Sequence, residues 1–267
     1  MLKRIITPAI AAGVLLLTAC ATHQSPTGRS QMLMHSEAEM AQLGQVSFAQ
    51  LKQQEKVSQD PALNAYVNCV AERISGVLPP QQWEVVVFDS PQVNAFALPG
   101  GYIGVYTGLL GVAENADQLA AVMGHEVAHV LAHHSNEKVS RSQMTGTGLQ
   151  LLNIGLAAYG VESAATITQL AALGTNVFFT LPYGREQETE ADIMGVELMA
   201  RAGFDPEASI ALWHNMAKAS SGAPPEMLST HPSHSTRIKE LNAQQQAAKP
   251  LYQAARQQSR TVCRAPK

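Results

Sequence analysis

The sequence predicts an α+β fold, mostly helical, with a small β-sheet just ahead of a helix carrying His125-Glu126-Val127-Ala128-His129. Three observations predict it. Apolar residues recur at helical spacing before residue 79 and again after residue 114. Between those stretches, Trp83–Phe88 is a run of β-branched and aromatic residues that suits a strand. Asn94–Leu98 and Tyr102–Thr107 then flank Pro99-Gly100-Gly101, which reads as strand, turn, strand.

The elements follow in chain order. Residues 1–19 open with Lys3 and Arg4 and continue as an apolar run, the pattern of a signal peptide and too short to span a bilayer. Leu17-Thr18-Ala19-Cys20 resembles a bacterial lipobox, which makes Cys20 the expected site of lipidation and the first residue of the mature chain. Ala21, in place of an Asp, matches the outer-membrane sorting default of Gram-negative lipoproteins. Residues 20–35, polar with Pro26 and Gly28, read as a lipid-anchored tether. Ser36 caps a helix running to about Lys56, with Glu37 and Glu39 in its first turn. Asp60-Pro61 starts a second helix, carrying Leu63, Tyr66, Val67, Val70, Ile74 and Val77, that Pro79-Pro80 ends. Helical patterning resumes near Glu114, and Asp205-Pro206 and residues 233–237 mark further helix starts. Residues 36–249 form the expected main domain and residues 250–267 a tail rich in Gln and Ala.

Composition excludes two classes. A hydrophobic fraction of 46% is too high for intrinsic disorder, and a formal net charge of -3 is of the wrong sign for a basic-patch nucleic-acid binder. Charged residues make up 15% of the chain, which leaves membrane association open. From Ser142 to Gly184 the sole charge is Glu162, yet Gln150, Asn153, Gln169 and Asn176 interrupt the apolar run. That segment is expected as a buried helical hairpin, with membrane contact the other reading. Beyond Cys20, Cys69 and Cys263 remain; they form one disulfide or stay as two thiols.

The chemistry sits at residues 125–129. His125 and His129, four apart on a helix, share one face and reach one metal ion, while Glu126 reaches a water on that metal and takes its proton. This H-E-x-x-H arrangement is that of zinc peptidases and makes the expected fold zincin-like. Catalytic zinc takes three protein ligands and keeps an open position. Glu188 is the expected third ligand, with Glu186 and Glu190 as competing choices whose other role is a solvated acidic face. Asp192, one turn on from Glu188, would accept a hydrogen bond from a ligand imidazole and fix its tautomer. His133 continues the same helix face one turn further on, and His134 is expected to satisfy a buried partner.

HEVAH at 125–129 together with Glu188-x-x-Ala191-Asp192 resembles the HtpX-like and CAAX-prenyl-protease family of zinc metallopeptidases, in its periplasmic lipoprotein branch. Further matches are Asn94–Gly101, Tyr102–Leu110, the early stretch Thr27-Gly28-Arg29-Ser30-Gln31, and His231-Pro232 with Arg237. The chain departs from the family's membrane-embedded branch in lacking clear transmembrane helices, and no tetratricopeptide domain is expected after about residue 250. The resemblance implies one zinc ion per chain. It also implies that His231 and Arg237 help stabilise the oxyanion, with His231 alternatively capping the zinc in a resting state. Asn94, Ala95, Phe96 and Ala97 are expected to bind an extended substrate as an added strand, or else to form a plain structural hairpin. The implied function is an endopeptidase acting on misfolded or unassembled envelope polypeptides. Its expected place is the inner leaflet of the outer membrane, facing the periplasm. The alternative is a chaperone or assembly factor using the same groove with little turnover.

Overall fold

The computed structural model describes residues 22–144, 174, 176–219, 226–231, 237–258 and 262–266. Cys20, the signal segment and residues 145–173 of the expected hairpin lie outside the described residues. Among the described residues no helix is long and apolar enough to cross a membrane.

The chain opens with two antiparallel strands, β1 (Thr22–Gln24) and β2 (Ser30–Met32). This differs from the free tether that the polar composition suggests. The segment folds because its polar side chains find buried partners in the domain, described below. Helix α1 (Glu37–Gln54) begins at Ser36, whose Oγ accepts from the Glu39 amide while the Glu39 carboxylate accepts from the Ser36 amide. Helix α2 (Pro61–Ser75) begins at Asp60, whose Oδ1 accepts from the amides of Ala62 and Leu63 at 2.8 and 3.1 Å.

Strands β3 (Glu84–Phe88), β4 (Ala95–Leu98) and β5 (Tyr102–Tyr106) form a sheet in the order β3-β5-β4. The expected β4–β5 hairpin is present, and β3 adds to β5 in parallel, so β5 is central and β4 an edge. The period-2 alternation sends Ala95, Ala97, Ile103 and Val105 to one face, into a core shared with Val67, Val70 and Ile74 of α2. The other face collects Phe88, Phe96 and Tyr106 against Met40, Leu43 and Phe48 of α1. Phe96 lies opposite Gly104, where an added Cβ would come 2.2 Å from its ring, so the missing side chain seats the phenyl across the strand.

A short helix α3 (Thr107–Leu110) leads into α4 (Ala116–Leu131), capped by Asn115, whose Oδ1 accepts from the Gln118 amide at 2.9 Å. Helix α4 carries the His125–His129 motif, and every residue from Gln118 to His129 is buried. The helix does not continue through His133. That residue takes φ 54°, a left-handed break, and α5 (His134–Met144) departs in a new direction. A π-helical turn at Asn176–Thr180 precedes α6 (Arg185–Arg201), then α7 (Ala208–Ala219), α8 (Glu226–Thr230) and α9 (Arg237–Gln258). The expected boundary at residue 250 falls inside α9, which runs on through Pro250. Beyond it, Cys263 is joined to Cys69 of α2 in a disulfide, with Cα atoms 5.7 Å apart.

Helices α4 and α6 cross at two glycines. A Cβ on Gly124 would lie 2.8 Å from the Gly195 carbonyl oxygen, and a Cβ on Gly195 would lie 2.8 Å from the His125 amide nitrogen. Backbone therefore touches backbone beside His125, and the side chains of residues 125–129 and 188–192 meet within hydrogen-bond reach. Glycine inside a helix costs about 0.5–1 kcal/mol relative to alanine, and here the close crossing offsets it.

Two stability outcomes follow. Gly195→Ala inserts a methyl against backbone that cannot yield as a side chain would, and should cost about 1–3 kcal/mol. An unchanged denaturation midpoint would contradict the tight crossing. Cys69→Ser should cost about 2–4 kcal/mol in oxidised protein and nothing in protein already reduced, read from melts with and without reductant.

Candidate metal centre

The expected ligands converge. His125 Nε2 and His129 Nε2 are 3.0 Å apart, and Glu188 brings Oε2 to 3.6 Å from the first and Oε1 to 3.4 Å from the second. His231 adds a fourth group. Its Nδ1 is 3.2 Å from His125 Nε2 and 3.0 Å from Glu188 Oε1. The four side chains are buried, and one ligand atom from each lies within 4.8 Å of all the others. Ligand atoms about 2.0–2.1 Å from a tetrahedral zinc sit about 3.3 Å from one another, so these spacings fit that ion.

The protonation pattern gives an independent test of fit. Asp192 Oδ1 accepts from His125 Nδ1 at 3.0 Å, which leaves the His125 Nε2 lone pair facing inward. On the other ligand, His134 stands between His129 and Glu190. His134 Nε2 is 3.1 Å from Glu190 Oε2, and His134 Nδ1 is 2.8 Å from His129 Nδ1. Burial, partly offset by Glu190, holds the His134 imidazole below its ordinary value, which favours the neutral ring. Its proton goes to the Glu190 carboxylate, and its Nδ1 accepts from His129, whose Nε2 lone pair then also points inward. Two imidazole lone pairs and a carboxylate aimed at one point inside a protein call for a cation.

The carboxylates are held from behind. Burial raises Glu188, but the neighbouring His231, His129 and His125 outweigh it and keep the acid well below its usual range. Arg237 Nη1 donates to Glu188 Oε2 at 2.7 Å and Nη2 to Asp192 Oδ1 at 2.7 Å. The guanidinium stacks 3.7 Å from the Trp213 ring centroid. Arg237 was expected to assist an oxyanion. In the structure it bridges Glu188 and Asp192, two buried acids that its guanidinium neutralises.

Glu126 is buried beside the ligands, its Oε1 3.5 Å from His231 Nε2 and without a hydrogen-bond partner among the described residues. Tyr183 stacks on His129 with ring centroids 3.8 Å apart, and Lys138 Nζ lies 3.8 Å from the Tyr183 ring centroid while donating to Leu181 O at 2.7 Å. Burial, partly offset by Glu126 and Glu188, lowers Lys138 to about 7. Asn94, Ala95, Phe96 and Ala97 line a narrow cleft with Glu126, Phe179 and His231, and Phe179 packs edge-on against Phe96 at 4.8 Å.

Some assignments change. Glu190 is not on a solvated face: it is buried and takes Arg29 Nε at 3.0 Å and Thr27 Oγ1 at 2.7 Å. Glu186 is absent from the cluster able to hold a metal ion. His133 is part exposed beyond the helix end, turned toward Glu37 at 3.9 Å and away from the ligand set. Sequence reasoning gave no role to Gly124, Gly195, Lys138, Tyr183 or Trp213. The two glycines inside otherwise regular helices were the legible signal.

Residues 57–245 match the family model described as peptidase family M48. The chain is 38% identical over 180 residues to the mitochondrial metalloendopeptidase OMA1 of Schizosaccharomyces pombe, covering 66% of this chain and 51% of that protein. It is 34% identical over 248 residues to the metalloendopeptidase OMA1 of Bos taurus, covering 86% and 47%. The beta-barrel assembly-enhancing protease of Escherichia coli is 27% identical over 218 residues, covering 79% and 44%. The chain thus spans about half the length of the curated relatives it matches. With a match over most of its length and a buried His125–His129–Glu188–His231 cluster able to hold zinc, the chain belongs to peptidase family M48.

Proposed function

We propose that this chain is a zinc endopeptidase of the bacterial envelope, tethered by a lipid on Cys20 and acting on misfolded or unassembled envelope polypeptides. The observation that carries the catalytic part is the convergence of His125, His129 and Glu188 beside a Glu126 oxygen that has no hydrogen-bond partner among the described residues and lies 3.5 Å from His231 Nε2. The names of the relatives support the class, and the envelope setting rests on the lipobox-like Leu17–Cys20 and on the E. coli relative.

On this reading His125, His129 and Glu188 hold the ion, which when bound acidifies water and polarises a carbonyl. Glu126 takes a proton at its free Oε1 and returns it to the leaving amine. The inward lone pairs are kept available by Asp192 on one side and by His134 with Glu190 on the other. Strand β4 offers its backbone edge to an extended peptide, which selects for unfolded chain more than for side chain. Phe179 and His231 line the same cleft as that strand and Glu126, so they would flank a bound peptide.

His231 fits a resting cap better than an oxyanion donor. Its Nδ1 is at the fourth corner of the ligand set, the position an attacking water needs. A latent resting enzyme follows, opened when residues around 231 shift.

The test uses the full chain in detergent, its zinc content and its cleavage of unfolded casein. Glu126→Gln should keep zinc and lose cleavage by about 10²–10⁴-fold. His231→Ala should keep zinc and cleave faster. Undiminished cleavage by Glu126→Gln would sink the mechanism. A zinc-loaded wild type and His231→Ala that both prevent casein aggregation without cutting it would favour the chaperone reading.

A further inference from the structure

The turn between the N-terminal strands reaches toward the metal centre at Glu190. Glu190 Oε1 accepts from the Thr27 amide at 3.3 Å and from Thr27 Oγ1 at 2.7 Å, and Oε2 accepts from Arg29 Nε at 3.0 Å. The next donor on that carboxylate is His134 Nε2 at 3.1 Å, and His134 Nδ1 meets His129 Nδ1 at 2.8 Å. Arg29 also forks onto Glu137, with Nη1 to Oε1 at 2.9 Å and Nη2 to Oε2 at 2.7 Å, which sets the plane of its guanidinium. Glu137 is pinned in turn by Gln187 Nε2 at 2.9 Å. Thr27 and Arg29 come from outside residues 57–245, the span of the family match.

We infer that the β1–β2 hairpin is a positioning element of the metal site, with Thr27 and Arg29 orienting Glu190 so that His134 fixes the tautomer of His129. The inference rests on the zinc reading above. Adhesion alone does not explain the contact, because apolar side chains would hold a hairpin down without setting a half-buried arginine between two buried carboxylates. What the polar contact adds is direction. Both Glu190 oxygens are committed to hairpin donors on one side, and the carboxylate has one orientation from which Oε2 meets His134. If Glu190 swings away, His134 loses the acceptor that keeps its proton on Nε2. The ring can then carry its proton on Nδ1, and His129 must place its own on the nitrogen that should face the ion. Asp192 does the same service for His125 in one step; here it takes two residues and a strand from the other end of the chain.

The test measures zinc release from the full chain in detergent into excess chelator. Thr27→Val, Arg29→Met and Glu190→Gln should each release zinc about tenfold faster than wild type, the scale expected for an outer partner of a metal ligand. Thr27→Ser, which keeps the hydroxyl, should restore the wild-type rate. Melting of the metal-free chains separates the roles, since a hairpin that only adds stability would lower the melting temperature and leave zinc release alone. Should Arg29→Met fail to fold, Thr27→Val decides by itself. Wild-type release rates in folded Thr27→Val and Glu190→Gln overturn this inference and leave the zinc reading standing. A wild type that retains no stoichiometric zinc overturns both.

Discussion

Helices α4 and α6 meet with no side chain between them, Gly124 against Gly195, and the arrangement of the site depends on that crossing. An α-helix surface normally keeps a partner helix 8–10 Å away because side chains interdigitate. Removing the Cβ at the crossing draws the two backbones together at His125, so a short carboxylate such as Asp192 reaches its imidazole directly. Larger residues at either glycine would lengthen at once the distances from the α4 imidazoles to the α6 carboxylates. Burial then amplifies the result. The His125, His129, Glu188 and His231 side chains lie away from water, so their mutual placement cannot be screened and has to be satisfied by charge.

The same reasoning explains why the site is supported from several directions. Arg237 neutralises Glu188 and Asp192 and is itself flattened on Trp213. Tyr183 fixes the His129 ring face, and its backbone amide donates to Thr230 O next to His231. Glu190 is tied to the N-terminal strands. The buried acids Glu137, Glu188, Glu190 and Asp192 each have a cation beside them, as a low-dielectric interior requires. On the proposed reading this rigidity holds the ligands, while His231 is the group that gives way.

The local rules were legible in the sequence. Asp60-Pro61 and Ser36 started helices where their side chains cap them, and the i, i+4 spacing of His125 with His129 and of Glu188 with Asp192 put the right groups on shared faces. What depended on distant partners was not legible. The strand order needed β3 to join β5 in parallel across an intervening strand, and a hairpin signature between β4 and β5 says nothing about that edge. Residues 22–32 looked like a tether because their composition is polar. Their docking becomes visible only when the buried Glu137 and Glu190 are found beside Arg29, more than 100 residues away. Glu190 read as a surface charge for the same reason. The pattern of α4 extended through His133, where the backbone instead turns left-handed, since the alternation of apolar residues carries no marker for that break.

On the proposed reading four side chains surround one ion site, three as permanent ligands and His231 as a removable fourth. X-ray absorption at the zinc edge of the loaded full chain measures this. Only nitrogen and oxygen neighbours near 2.0–2.1 Å are expected, with three imidazoles in the wild type and two in His231→Ala. A sulfur neighbour, or the same imidazole count in both proteins, would contradict it.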